Sequence, residues 1–215
     1  GSNGDSAILG GVFWTMRRTA ASLGRRAGLG KPLPALLFFT DPVRVPDPEA
    51  AVVGLPPEAA VVFRAFGAPD AEARGRRLRA ALNARGAKLL VGADARLAAS
   101  VGADGVHLPQ RLACQARRIR SARPSWIVTA AAHDLRSARR AAIYGAHAIV
   151  LSPIFPSRSP SAGRPIGVLR LAQLVQRIGA PVYALGGVND DTARLLLRVR
   201  LGGLVGVEGL SGSRT

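Results

Sequence analysis

The segment WIVTAAAHDLRSARRAAIYGAHAIVLSP, residues 126–153, decides the fold of this chain. It begins with an apolar run, passes through a stretch rich in alanine and arginine, and returns to a second apolar run. Asp134 stands where the N-cap of a helix is expected and Gly145 where its C-cap is expected. Near-continuous apolarity is typical of strands covered on both faces, as in parallel sheets. The segment therefore predicts a strand, a helix and a second parallel strand.

The same alternation repeats from Leu33 onward. Eight apolar runs are each followed by a loop or an amphipathic stretch: LLFFTD (36–41), VVFRAF (61–66), KLLVGA (88–93), GVHLP (105–109), WIVTAA (126–131), AIVLSP (148–153), VYALGG (182–187) and GLVGVE (203–208). Eight strands alternating with helices predict an α/β protein with a (β/α)8 barrel. A doubly wound open sheet is the alternative, and the missing glycine-rich first turn disfavours it.

The barrel is expected to be a single domain over residues 33–210, followed by a short tail, 211–215. Residues 1–32 are interpreted as a basic N-terminal leader or extension, partly vector-derived. The chain after GLVGVEGL is too short for an eighth helix. We expect the apolar stretch AILGGVFWTM (7–16), or the partner subunit of a homo-oligomer, to cover the bare strand.

The composition favours a soluble protein of the reducing cytoplasm. Thirty lysines and arginines against thirteen acidic residues give a formal net charge of +17, and the chain has one cysteine. No apolar run approaches the roughly 20 residues that span a bilayer. The charge raises a nucleic-acid hypothesis, but the arginines are spread along the chain without interleaved aromatic residues. We therefore expect no specific nucleic-acid partner.

In a barrel of this kind the functional residues lie where strands end. This rule selects twelve residues, which are Asp41, Arg64, His107, Gln110, Thr129, His133, Ser152, Ser157, Arg158, Gly186, Gly187 and Glu208. It assigns His147, which precedes its strand, a structural role. Two glycines before a helix let backbone N–H groups approach a phosphate. The long loop that carries Ser157 and Arg158 is interpreted as a phosphate-binding lid.

Several motifs of the chain resemble those of the thiamine phosphate synthase family, which includes the thiazole tautomerases. The most specific are GADGVHLPQ (102–110), SPIFPSRSP (152–160) and ALGGV (184–188), and they are supported by FFTD (38–41) and VVFR (61–64). The resemblance runs from about Leu36 to Leu210 and implies a (β/α)8 barrel that binds a small phosphorylated thiazole or pyrimidine. In this family the synthases join a thiazole phosphate to an aminopyrimidine diphosphate with Mg²⁺. The tautomerases isomerise a thiazole carboxylate phosphate without a metal.

The resemblance implies roles for some residues and departs at others. His133 matches the acid/base histidine of the tautomerases, His107 and Gln110 match the family pattern after strand four, and Arg64 matches a strand-two arginine. This chain departs from the family pattern at three places. Val62 and Phe66 stand where the family has a glutamine and a lysine, Gly92 and Ala93 where it has an asparagine and an aspartate, and Leu112 where it has an aspartate. Mg²⁺ at a diphosphate normally requires one or two carboxylates. A synthase would need Mg²⁺, but its usual carboxylate ligands are absent here.

Three hypotheses stay open at this point. The first is an enzyme of thiamine assembly, either synthase or tautomerase, with His133 as its catalytic residue. The second is a divergent barrel that only binds a phosphorylated ligand or a partner. The third is a nonspecific nucleic-acid binder.

Overall fold

Eight parallel strands close into a barrel in the computed structural model, in the order β1 to β8, with β8 pairing back onto β1. The structure describes residues 14–26, 33–41, 47, 49, 52, 55–56, 58–157 and 163–207. The strands are β1 Leu36–Phe39, β2 Ala60–Phe63, β3 Lys88–Gly92, β4 Gly105–Leu108, β5 Ile127–Ala132, β6 Ala148–Leu151, β7 Val182–Ala184 and β8 Gly203–Gly206. The predicted (β/α)8 barrel is confirmed.

In the described part of the chain one helix precedes β1 and the others lie between later strands, and together they cover the outside of the barrel. They are α1 Trp14–Arg26, α2 Ala71–Asn83, α3 Ala95–Ser100, α4 Ala116–Ala122, α5 Leu135–Ile143, α6 Val168–Val175 and α7 Asp190–Ala193, with 3₁₀ turns at Gln110–Gln115 and Arg194–Leu196. Asp134 caps α5 as predicted, because its carboxylate accepts a hydrogen bond from the Ser137 N–H at 2.7 Å.

The apolar residues form an inner and an outer layer. The inner layer fills the barrel with side chains from alternate strand positions, which are Leu37, Phe39, Ala60, Val62, Leu90, Ile127, Ala148, Val150, Tyr183 and Val205. The larger outer layer packs the other face of each strand against the helices. Both faces of the strands are therefore buried, which explains why their sequences are apolar throughout.

Helix α1 covers the outer face of the barrel beside β8 and β1. It contacts β8, β1 and α7, and buries Met16, Ala20 and Leu23, which the helical repeat places on one face. Its first turn is anchored by Asp190, whose carboxylate accepts a hydrogen bond from the Met16 N–H at 3.0 Å. The cover is an N-terminal helix that begins at Trp14, whereas most of the expected stretch 7–16 lies outside the described residues. The covering helix falls within the segment interpreted as a leader.

Some predicted features lie outside the described residues. They include most of AILGGVFWTM, since residues 1–13 are not described, and residues 208–215 with the tail. Across the described ranges, no helix combines the length and the apolarity needed to cross a membrane.

Candidate active site

A cavity of about 1490 Å³ opens at the carboxyl ends of the strands. It is lined by residues that follow each of the eight strands, and by residues near the ends of several strands. The predicted residues that line it include Arg64, His107, His133, Ser157, Gly186 and Gly187. The barrel thus brings together residues such as Arg64 and Gly187, which are 123 positions apart in the chain, as the strand-end rule predicts.

His133 lies on the wall of this cavity, just after β5, and is exposed. Its Nδ1 is 3.0 Å from the main-chain carbonyl oxygen of Ser152, which follows the neighbouring strand β6. The Ser152 hydroxyl oxygen lies 3.3 Å from the same Nδ1. Because a carbonyl oxygen can only accept a hydrogen bond, its contact favours the tautomer with the proton on Nδ1. In the neutral imidazole Nε2 is then the basic nitrogen.

His107 lies at the end of β4 and is buried, with 6% of its surface exposed. Its Nδ1 is 2.9 Å from Thr129 Oγ1, and its ring meets Phe39 edge-on with centroids 4.8 Å apart. Burial, and secondarily the charge of Arg64, lowers the pKa of His107 to about 3. His107 is therefore a neutral, fixed imidazole, and Thr129, which is buried and not part of the cavity wall, holds it in place.

Arg64 is fixed at the end of β2 by its neighbours on β1. Its Nε donates to the Thr40 carbonyl oxygen at 2.6 Å and its Nη2 donates to Asp41 at 3.1 Å. Its guanidinium carbon lies 5.6 Å from the centroid of the Phe39 ring and 5.3 Å from that of Phe66. The predicted anion-binding residue is thus already paired with a carboxylate and flanked by two rings.

Gly186 and Gly187 both adopt left-handed backbone conformations, with φ of 89° and 65°. They pack directly against the loop that follows β6. A Cβ on Gly186 would come within 2.8 Å of Pro153, and one on Gly187 within 2.7 Å of Phe155 Cβ. The following helix α7 has four residues, and the Asn189 side chain already accepts from the Asp191 and Thr192 N–H groups. An anion bound beside Gly186 and Gly187 would therefore contact main-chain N–H groups of this loop, and not the N–H groups at the start of α7.

The remaining predicted residues lie in different places. Ser157 borders the cavity, whereas Arg158 lies outside the described residues. Gln110 is exposed and is not part of the cavity wall, because the chain winds into a 3₁₀ turn directly after Pro109. That turn instead directs Arg111 and Gln115 to the cavity. Sequence reasoning missed both, since the helical phase after Pro109 decides which side chain faces inward.

His147 lies at the opposite end of the barrel, before β6. Its side-chain Nδ1 accepts a hydrogen bond from the Val128 N–H at 3.0 Å, and its main-chain N–H donates to the Val128 carbonyl oxygen at 2.7 Å. Its predicted structural role is confirmed.

The carboxylates of the cavity do not form a site for Mg²⁺. Asp94 uses one oxygen to cap α3 through the Arg96 and Leu97 N–H groups. Asp41 is bound to Arg64, and Leu112 is half-buried against the outer apolar layer. Within the described ranges, no group of three or more His, Cys, Asp or Glu side chains could hold a metal ion. The residues present do not fit the two-carboxylate set that the resemblance implies for a synthase.

The fold and the cavity define a (β/α)8-barrel protein with a ligand-sized cavity at the carboxyl end of its strands. The sequence profile of the thiamine monophosphate synthase family matches residues 58–210. The chain belongs to this family, which confirms the resemblance noted from its motifs.

Named relatives agree with the family assignment. The chain is 36% identical over 125 residues to a putative thiamine-phosphate synthase 2 from Aquifex aeolicus, covering 58% of this chain and 65% of that protein. It is 36% identical over 179 residues to a thiamine-phosphate synthase from Anaeromyxobacter dehalogenans, covering 81% and 78%. The match thus spans less than two thirds of the Aquifex relative's length.

A solved structure gives the same result for the fold. The thiamine phosphate pyrophosphorylase from Pyrococcus furiosus superposes with a TM-score of 0.69 at 26% identity, covering 82% of this chain and 86% of that protein.

Proposed function

We propose that this protein is a thiamine-assembly enzyme that isomerises a phosphorylated thiazole by metal-independent proton transfer. The observation that carries the proposal is the hydrogen bond between His133 Nδ1 and the Ser152 carbonyl oxygen, at 3.0 Å. It favours one tautomer of an exposed imidazole on the wall of the cavity. A histidine held in this way can act as a general acid and base.

The chemistry asked of His133 is a proton transfer with no net change in composition. Nε2 removes a proton from a thiazole carbon next to the imine and becomes an imidazolium. The Ser152 carbonyl stabilises that cation through the Nδ1–H bond. The same proton then returns to a different atom of the ring system, which moves the double bond and regenerates neutral His133.

The substrate's phosphate is assigned to the loop after β7. The Gly186 and Gly187 conformations bring main-chain groups to the cavity without side chains between them and the ligand. Ser157 on the facing loop is a further candidate contact, and Arg158 stays a prediction. His107 lines the cavity but does not act as an acid or a base in this proposal, because a pKa of about 3 keeps it neutral at neutral pH.

The proposal is tested by following isomerisation of the thiazole carboxylate phosphate by proton NMR, with EDTA present. We expect conversion by the wild-type protein and a loss of about 10²- to 10⁴-fold with His133→Ala, because such a group typically contributes that much. His147→Asn is the matched control. It removes a histidine at the far end of the barrel and keeps an acceptor for the Val128 N–H. Its rate should equal that of the wild type.

Equal rates for wild type and His133→Ala would overturn the assignment of His133. No conversion by either protein would overturn the isomerase proposal itself.

A second candidate, the synthase reaction, is favoured by the names of the matched relatives. It predicts pyrophosphate release from the thiazole phosphate and the aminopyrimidine diphosphate, dependent on Mg²⁺. Growth of a thiamine-requiring strain carrying this gene would support either reaction. Pyrophosphate release then separates the two, since isomerisation produces none.

A further inference from the structure

We propose that Phe66 is the stacking surface for a flat, uncharged heteroaromatic ring of the ligand that occupies the cavity. The inference deepens the proposed function and rests on it for the identity of that ring. It assigns the region after β2 to ring recognition, and it names a specificity-determining residue there.

Phe66 is exposed in a way that its own packing does not explain. It lies on the wall of the cavity, yet 70% of its surface is accessible. Phenylalanine gains from burial, so an accessible ring on a cavity wall is apolar surface that a ligand can cover. Aromatic rings bury flat heterocycles well because both partners present planar faces.

The backbone of Phe66 is held in a conformation that phenylalanine disfavours. Its φ is 48°, and that of the following Gly67 is 77°, so two successive residues are left-handed. The turn is closed by a hydrogen bond from the Ala68 N–H to the Ala65 carbonyl oxygen at 3.0 Å. Non-glycine residues in this region carry strain and tend to cluster at ligand sites. A glycine or an asparagine would relieve the strain at Phe66 but would remove the ring.

One face of the Phe66 ring is supported by Arg64. The guanidinium carbon is 5.3 Å from the ring centroid, and the guanidinium is in turn fixed to Thr40 and Asp41. The guanidinium carbon also lies 5.6 Å from the centroid of the Phe39 ring. A fixed cation therefore lies against one face of the Phe66 ring, and most of the residue's surface stays accessible to a ligand.

The support also selects the charge of the ligand ring. A cation over one face draws the π electrons of Phe66 toward that face, which makes the opposite face less attractive to a second cation. The open face therefore suits a neutral ring. The neighbouring cavity residues Gly67, Ala68 and Ala93 have small side chains or none, which leaves space for a planar group beside Phe66.

Phe66→Trp tests the proposal directly, since it places a fluorescent ring at the proposed stacking surface. The native tryptophans are Trp14 and the buried Trp126, which lies before β5 at the far end of the barrel. Thiazole phosphate should quench the fluorescence of the variant, whereas inorganic phosphate at equal occupancy should not. The same quenching by both probes, or no quenching by thiazole phosphate and by the neutral aminopyrimidine alcohol, would overturn the proposal.

Phe66→Gly separates a role in recognition from a role in folding. We expect its unfolding free energy to be unchanged or raised, because glycine tolerates the backbone conformation. Its affinity for thiazole phosphate should fall by about 10-fold, as is typical when a stacking ring is removed. Its affinity for inorganic phosphate should match that of the wild type.

Equal thiazole phosphate affinity in the glycine variant and the wild type would overturn the proposal. The proposed function can fail separately. If thiazole phosphate quenches the Phe66→Trp variant but no isomerisation is detected, the stacking proposal stands and only the proposed isomerase activity is overturned.

Discussion

His107 and Thr129 form a buried pair across the neighbouring strands β4 and β5, with His107 Nδ1 2.9 Å from Thr129 Oγ1. His107 lines the cavity, and so does the exposed imidazole of His133. The same barrel end thus holds one histidine that is buried and neutral and another that is accessible to a ligand. Burial decides this difference, since desolvation disfavours the charged imidazole.

The free energy of unfolding should fall as the pH drops from about 6.5 to about 3. In that range His107 is protonated in the unfolded chain but stays neutral in the folded protein. Its pKa is about 3 in the folded protein against an ordinary 6.5, so the unfolded state binds more protons between these values. Stability conferred by neutral His107 is therefore complete above about pH 6.5 and is lost progressively toward pH 3. Urea unfolding should report a loss of about 2 kcal/mol from this residue between pH 7.5 and pH 5.

His107→Asn is the matched variant for that experiment. Asparagine can keep a hydrogen bond to Thr129 and does not titrate, so the pH dependence of its unfolding free energy should be shallower. Identical slopes for the variant and the wild type would contradict the buried, neutral state of His107.

Isomerisation should not depend on Mg²⁺. The carboxylates on the cavity wall are Asp41, Asp94 and Glu72. They are engaged with Arg64, with the start of α3 and with Arg76, respectively. Turnover of the thiazole carboxylate phosphate in excess EDTA should equal turnover in millimolar Mg²⁺. A rate that vanishes in EDTA and returns with Mg²⁺ would show that these carboxylates rearrange to hold a metal.

Gly187→Ala should destabilise the protein more than Gly67→Ala does. Both glycines have positive φ, so each substitution incurs the left-handed strain of about 1 kcal/mol. The Cβ on Gly187 would also collide with the Pro156 carbonyl oxygen, whereas the Cβ on Gly67 meets nothing within 4 Å. Denaturant unfolding should therefore show an additional loss of about 1 to 3 kcal/mol for Gly187→Ala. Equal losses of unfolding free energy for Gly187→Ala and Gly67→Ala would contradict this prediction. They would mean that the loops after β6 and β7 can move apart at no energetic cost.

Leu23→Ala should show that α1 is part of the folded barrel. Leu23 is fully buried on the face of α1 that packs on the barrel, and removing such a side chain typically costs about 2 to 5 kcal/mol. Arg17→Ala on the same helix is the control. Its ion pair with Glu58 is half-exposed on both sides, so its loss should cost less than about 1 kcal/mol. Equal melting temperatures for Leu23→Ala and the wild type would contradict this role of α1.

Local sequence patterns were enough to predict the barrel. The apolar runs such as AIVLSP coincide with strands because a strand buried on both faces tolerates few polar residues. The same patterns placed Arg64, His107, His133, Gly186 and Gly187 at one end of the barrel, since parallel strands all end on the same side.

Other features depended on contacts between distant segments. The interpretation of residues 1–32 as a leader followed from their basic composition. The buried face of α1, with Met16, Ala20 and Leu23, is meaningful only beside β8 and β1. Likewise, the orientation of Gln110, Arg111 and Gln115 depended on the turn after Pro109.

The sequence by itself determined the strand order and the end of the barrel that carries the cavity, because hydrophobic periodicity and chain direction are local properties. Only the tertiary structure decided the state of each site residue. It buried His107 against Thr129, paired Arg64 with Asp41 and left Phe66 accessible on the cavity wall. Protonation, charge pairing and exposure depend on neighbours that are far apart in the chain, and folding alone brings those neighbours together.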